Sequence, residues 1–154
     1  MKAVKLATAA ALALVFGLGA PAWSSEKASK DEAIAMVKKA VDFVKQQGAE
    51  KAYPVFDDKK GQFVDRDLYI VVYGMNGKVL AHGANAKLIG KDMNEAQDVD
   101  GVYYVKERLA LAAKQPDFWQ GYKFVNPVSK KIEPKEMYCQ RLGETIVCGG
   151  VYKN

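Results

Sequence analysis

The sequence is poor in the side chains from which most enzyme sites are built. It holds one histidine, His82, and two cysteines, Cys139 and Cys148. That set is too small for an ordinary His/Cys zinc site. The C-x-x-C-H pattern that attaches haem is absent, as are G-x-S-x-G, H-E-x-x-H and a phosphate-cradling glycine loop. Gly149-Gly150 is no such loop, because it falls in a strand near the end of the chain. Catalysis needs a nucleophile with a base, a carboxylate pair, a metal or a cofactor motif. None is written here, so the reading is of a protein that is not an enzyme and has no cofactor or metal. Charge is nearly balanced, with 23 Lys and Arg against 18 Asp and Glu. No basic stripe interleaved with aromatics occurs, which argues against a nucleic-acid partner.

Long apolar runs are also scarce. The one candidate is at the N-terminus, where Lys2 and Lys5 precede the Ala- and Leu-rich stretch Leu6 to Gly19. Ala20-Pro-Ala22 and Ala22-Trp-Ser24 both place small residues at a cleavage position. This is the pattern of a secretory signal peptide over residues 1–24, followed by one domain over 25–154. The run is short for a membrane span, which needs about 20 residues; an uncleaved anchor is the alternative. Losing Lys2 and Lys5 leaves 21 basic residues against 18 acidic, a net charge of +3. The mature chain is expected in the periplasm or secreted.

Ser29-Lys-Asp-Glu32 has the form of a capping box. It predicts a helix to about Gln47, closed by Gly48, with Ile34, Val37, Val41 and Val44 at helical spacing. Such a helix either covers one face of a sheet or pairs with a second copy, so the chain reads as a monomer or as a homodimer through this helix. Lys51 to Asp65, with Pro54 and Gly61, reads as a connection from which Tyr53, Phe56 and Phe63 dip into the core. Two apolar runs, Leu68–Tyr73 and Val79–His82, flank Asn76-Gly77, the strongest short hairpin signal. A two-residue loop pairs Tyr73 with Leu80 and Val71 with His82. Period two then sets Tyr69, Val71, Tyr73, Leu80 and His82 on one face and Leu68, Ile70 and Val72 on the other. A strand apolar on both faces belongs in the middle of a sheet.

Asp92, Glu95, Asp98 and Asp100 do not have EF-hand spacing. Asp98 or Asp100 is expected instead to cap a helix from about Val102 to Lys114, with Val105, Leu109 and Ala112 inward and Pro116 barring its continuation. Strands follow at Phe118–Phe124, Ile132–Arg141 and Thr145–Tyr152, the first two joined by a turn at Asn126-Pro-Val-Ser129. The sum is an α+β arrangement with an antiparallel sheet of about five strands, a long N-terminal helix and a second covering helix. A turn at Gly143-Glu144 pairs Leu142 with Thr145 and, counting outward, Cys139 with Cys148 at a closely spaced position. In an oxidising compartment this reads as a disulfide; two free thiols or a redox pair are the alternatives.

The stretch Tyr69-Ile-Val-Val-Tyr-Gly-Met-Asn-Gly-Lys-Val-Leu-Ala-His82, continuing to Leu88-Ile-Gly-Lys91, resembles the single-Cache domains. These are PAS-like extracytoplasmic sensor domains of bacteria, whose pattern is a strand, a turn, V-L-A-H-P and L-I-G-K-N. Asp98-Val-Asp-Gly101, Tyr122-Lys-Phe-Val-Asn-Pro127, Lys131-Ile-Glu-Pro-Lys135 with Tyr138, and Gly149-Gly-Val-Tyr152 fit in order. The resemblance runs from Ala33 to Asn154. Gly74, Gly83 and Asp92 depart from the pattern, standing where an acidic residue, a proline and an asparagine are usual.

On the residues alone, His82 with Tyr69, Tyr73, Trp119, Tyr122, Lys135 and Tyr138 would form an aromatic cavity with a few polar groups, the usual make-up of a small-molecule site. The plainer readings are a core histidine bonded to backbone, tyrosines packed in a core, and a solvated Lys135. The resemblance favours the pocket. It implies a small organic ligand, a carboxylate or an amino acid, at His82, Tyr122, Lys135 and Tyr138, and a membrane-bound signalling partner that reads its occupancy. A structural or interaction module of the cell envelope is the competing class.

Overall fold

The computed structural model describes residues 27–153. The segment read as a signal peptide lies outside them. Helix α1 spans Lys30–Gln47 and starts as expected: the Ser29 hydroxyl accepts from the Glu32 amide at 3.2 Å, and the Glu32 carboxylate accepts from the Ser29 amide at 2.6 Å. Gly48, at φ 80°, ends it. One residue later the chain enters a helix that the sequence did not suggest, α2, Ala49–Asp57. Pro54 read as a breaker. In a helix this short it removes only its own amide from the ladder, and Ala52 and Phe56 become fully buried in return.

The strands are β1 (Val64–Asp65), β2 (Leu68–Gly74), β3 (Val79–His82), β4 (Asp117–Val125), β5 (Ile132–Leu142) and β6 (Thr145–Tyr152), with α3 (Tyr104–Lys114) before β4. They form one antiparallel sheet of six strands rather than five. Its order is β1-β2-β6-β5-β4, with β3 also pairing β2. Every residue of β2 is buried, yet the β2–β3 hairpin lies at one side of the sheet, not in its middle. Burial on both sides comes from layers instead. On one face α1 and α2 meet Ile70, Val72, Ala81 and Val147. On the other, α3 and parts of the segment 83–103 meet Tyr69, Val71, Tyr73, Met137 and Ile146.

The hairpin turn also differs from the expectation. The Gly77 amide bonds to the Gly74 carbonyl, and the Gly74 amide to the Lys78 carbonyl, each at 2.9 Å. Only Gly77, at φ 82°, is left-handed. This is a three-residue loop with a bulge at glycine, not a two-residue turn needing positive φ at both positions. Val71 pairs with His82 as expected, but Tyr73 pairs with Val79 instead of Leu80. Leu80 therefore packs on the helical face, and Val79 joins the tyrosines. The β5–β6 register agrees with the count from Gly143-Glu144. Leu142 faces Thr145, Cys139 faces Cys148, and the two cysteines form a disulfide with Cα atoms 4.1 Å apart.

The cap expected for α3 is not there. Asp98 instead holds the loop before it, accepting from the amides of Asp100 and Val102 through one oxygen and from Lys123 on β4 through the other. The helix begins at Tyr104 without a side-chain cap.

Candidate functional site

Alternation along the strands brings Tyr69 and Tyr73 of β2, His82 of β3, Tyr122 of β4 and Lys135 of β5 to the face covered by α3. Trp119 and Tyr138 do not join them. They pair across β4 and β5 with ring centres 5.3 Å apart and point to the α1 face, where the Lys30 ammonium lies 4.8 Å from the Trp119 ring. Period two requires this, since Trp119 and Tyr122, like Lys135 and Tyr138, differ by an odd number of positions. The expected aromatic cavity therefore loses those two residues. It gains three that the sequence reading passed over: Tyr104 and Arg108 of α3 and Tyr152 of β6.

Lys135 is 1% exposed, so it is no solvated strand residue. Its Nζ donates to the Tyr69 hydroxyl at 2.9 Å. Tyr69 and Tyr152 hydroxyls are 3.2 Å apart, and Tyr152 donates to the Val125 carbonyl at 2.7 Å. That carbonyl sets the direction of the chain: Lys135 gives to Tyr69, Tyr69 to Tyr152, and Tyr152 to the backbone. Burial, then the field of Arg108, pushes the Lys135 amine well below its ordinary range, with Asp67 opposing. Burial likewise raises the phenols of Tyr69 and Tyr152.

His82 is partly the backbone-bonded histidine of the plainer reading. Its Nδ1 accepts from the amides of Ala84 at 3.2 Å and Asn85 at 3.0 Å. Two donors on Nδ1 leave the proton of the neutral ring on Nε2. Burial, followed by the field of Lys135, lowers the His82 pKa to about 3, so the ring is neutral at physiological pH. It stacks on Tyr69 at 5.2 Å. Gly83, where the family pattern has proline, is closely packed: a Cβ there would stand 2.9 Å from the Phe56 carbonyl oxygen.

Arg108 is the least expected member. It is fully buried, with its guanidinium 4.8 Å from the Tyr73 ring centre, 5.1 Å from Tyr122 and 5.8 Å from Tyr104. Its Nε donates to Gln120 Oε1 at 3.0 Å, and Gln120 Nε2 donates to the Tyr104 carbonyl at 2.8 Å. Burial opposes its charge, while the surrounding tyrosines favour it. Nη1 and Nη2 make no hydrogen bond of ordinary length, although the Tyr122 hydroxyl lies close enough to favour the charge. Among the described residues, no carboxylate forms an ion pair with Arg108 or Lys135. The sequence did carry a signal for this residue. Arg108 sits between Val105 and Ala112 on the apolar stripe of α3, where a charge is out of place.

A pocket of about 240 Å³ opens beside this cluster, lined by Tyr69, His82, Asn85, Phe124, Pro127 and Lys130 among others. A second, of about 200 Å³, shares Tyr69, Ala84, Pro127 and Lys130 and adds Lys59 and Arg66. The loop at the mouth is tied down by Asn126. Its Oδ1 accepts from the Val128 and Ser129 amides, and its Nδ2 donates to Glu133 at 3.1 Å and to the buried Asp67 at 3.4 Å. No group of three or more metal-ligating side chains occurs among the described residues, and no described helix is long and apolar enough to cross a membrane.

An antiparallel sheet with α1 and α2 on one face, and α3 with the segment 83–103 on the other, has the PAS-like architecture. The sequence comparison agrees: residues 20–152 match the family model Single Cache domain 2, and the chain belongs to that family. No curated protein matches the chain. Among solved structures it is similar to a methyl-accepting chemotaxis protein of Vibrio parahaemolyticus RIMD 2210633 (20% identity, TM-score 0.70, 80% of this chain and 87% of that one). It is similar to a Cache chemosensory domain that recognises carboxylic acids (19% identity, TM-score 0.67, 80% and 92%). A periplasmic sensor domain of a chemotaxis protein is a third such structure (17% identity, TM-score 0.65, 80% and 90%). At these identities the likeness is one of fold.

Proposed function

We propose that this chain is an exported sensor domain for a small organic carboxylate, and that it reports occupancy to a membrane-bound signalling partner. One observation carries the ligand class: Arg108 is a permanent, fully buried cation whose two terminal nitrogens make no hydrogen bond of ordinary length. A guanidinium fork of this kind matches a carboxylate, which takes two parallel hydrogen bonds. An unpaired buried charge is otherwise costly. The Tyr122 hydroxyl, the His82 Nε2–H and Lys135 lie on the same face as further donors, while the Tyr69 and Tyr152 hydrogens are given to Tyr152 and to the Val125 carbonyl. The contacts of Arg108 and Lys135 include no acid to hold an ammonium group, so simple acids fit better than amino acids. The domain's similarity to a carboxylic-acid-sensing Cache domain supports the same choice.

A thermal-shift panel of small monocarboxylates, 2-oxo acids, amino acids and the matching uncharged amides tests this reading. An acid should raise the melting temperature, while its amide should not. Arg108→Ala should weaken acid binding by roughly a hundredfold or more, as expected when one side of a buried charge pair is removed. A flat response to every acid, or an equal response in the variant, would sink the reading.

A second reading, an interaction module, rests on a different surface. Val99, Val125 and Ile132 are 61%, 45% and 53% exposed and line one shallow depression beside β4. Acid binding that is lost in the Arg108 variant would leave this surface as an accessory to a sensor, not as the main function.

A further inference from the structure

Lys135 and Arg108 are two buried basic side chains facing one side of the sheet, and among the described residues no acid forms an ion pair with either. The two differ in one respect. Arginine keeps its proton in any protein interior, whereas an amine can release it. Lys135 is placed to do so. Its stem runs across β6 at Gly150, where a Cβ would stand 2.5 Å from the lysine Cε. Its nitrogen ends 4.1 Å from the Tyr69 ring centre and 4.7 Å from that of Tyr152, with a single hydrogen bond, to Tyr69. The strongest fixed charge acting on it within the protein is that of Arg108, which has the same sign.

We propose that binding of an anionic ligand at this face is coupled to the uptake of one proton from solvent by Lys135. The proposal rests on the carboxylate reading above and extends it to regulation. An anion on Arg108 cancels the field that repels the lysine proton, and its own charge then attracts that proton. The ligand enters as the anion and the amine becomes an ammonium, so carboxylate and proton arrive together and add no net charge to the interior. By linkage, affinity falls as pH rises between the pKa of the free amine and that of the ammonium in the occupied site, and levels off above the latter. The limit is tenfold per pH unit for one proton.

The other groups facing Lys135 do not share this role. His82 of β3 is held neutral, at about 3. Tyr69 of β2, Tyr122 of β4 and Tyr152 of β6 keep their protons, because burial raises all three. Arg108 of α3 stays charged. Asp67, before β2, is bonded to the Ala28 amide and to Asn126. Glu133, two residues away on β5, is held at about 2 by Ser129, Lys27 and Asn126.

Titration calorimetry of the exported chain with acetate as probe, between pH 7 and 8.5, tests the proposal. Acetate is fully ionised there. The heat is measured in phosphate and in Tris, whose ionisation enthalpies differ widely. The expected result is a buffer-dependent heat corresponding to uptake of up to one proton per acetate, with Kd rising with pH. Lys135→Met should abolish both effects, and Lys135→Gln serves if the Met variant does not fold. Acetate binding with buffer-independent heat and a flat Kd would overturn the proposal and leave the carboxylate reading intact. Proton uptake that persists in the folded variant would also overturn it. Failure of acetate and every other acid to bind would remove the reading, and the proposal with it.

Discussion

His82 shows how much of this site is decided one residue at a time. Its ring is locked by two backbone donors on Nδ1, so its charge state is a matter of folding as much as of ligand chemistry. The folded pKa lies near 3, below the value of about 6.5 for a free histidine. Between those values the unfolded chain holds the extra proton, so stability falls as pH falls through that window and is fully retained above it. His82→Gln should be less sensitive to acid than the wild type. The difference between their urea-unfolding curves should change by about 1.4 kcal/mol per pH unit between pH 6 and pH 4. A constant difference would mean that the ring is charged in the native protein. Legibility also varies residue by residue. Tyr69, Tyr73 and His82 are readable together because alternation within the hairpin puts them on one face, whereas Tyr122 and Lys135 join them only through the family resemblance. Trp119 and Tyr138 went astray because they were grouped by chemistry, against that same alternation. Arg108 was passed over because a charged residue on a helix is ordinarily solvated; only its place on the apolar stripe of α3 gave it away.

At the scale of elements, the signals that held are local and reciprocal. The capping box at Ser29 and Glu32, and the outward count from Gly143-Glu144, each fix a geometry from two ends at once. The signals that failed are those in which tertiary contact outweighs local preference. Helix α2 forms around Pro54 because Phe56 and Ala52 gain burial beneath β3. The β2–β3 turn takes the bulged form, with Gly77 alone left-handed, and the register beyond Val72 shifts with it. The disulfide is the one covalent link between elements and closes a short loop between β5 and β6. By the chain-entropy account, replacing both cysteines with alanine should cost about 2–3 kcal/mol. Urea denaturation of the double variant checks this, with an m-value equal to or slightly above the wild type's as the released unfolded chain expands. Both sulfurs lie in the site-face core with Tyr73 and Met137, so loosening there should also weaken acid binding.

The whole molecule is a two-sided object. One face of the sheet is covered by α1 and α2. The other is covered by α3 and the segment 83–103, over the buried Arg108 and Lys135. Ligand energy should therefore be felt unevenly. The Ala84 and Asn85 amides on His82, and the bonds between Asn126 and Lys130 and between Asn126 and Lys131, frame the pocket mouth. Amides there that exchange by local opening should slow by up to about a hundredfold when ligand stands at a hundred times its Kd. Those fraying at Lys45–Gln47, at the end of α1, should not change. Hydrogen exchange with and without the acid distinguishes this from a uniform rise in stability.

The two ends of the described chain meet beside that mouth. The Lys27 ammonium donates to the Lys153 carbonyl at 2.6 Å and pairs with Glu133 at 3.0 Å, while the Lys153 amide bonds to the Pro134 carbonyl. A host protein could therefore carry this domain inside one of its own surface loops, across the short gap that the Lys27 side chain bridges. Closing so small a gap costs little chain entropy. Both splice points would lie next to the ligand's doorway, so a fluorescent host would receive any movement there through two junctions at once. The domain has the geometry of an insertable reporter.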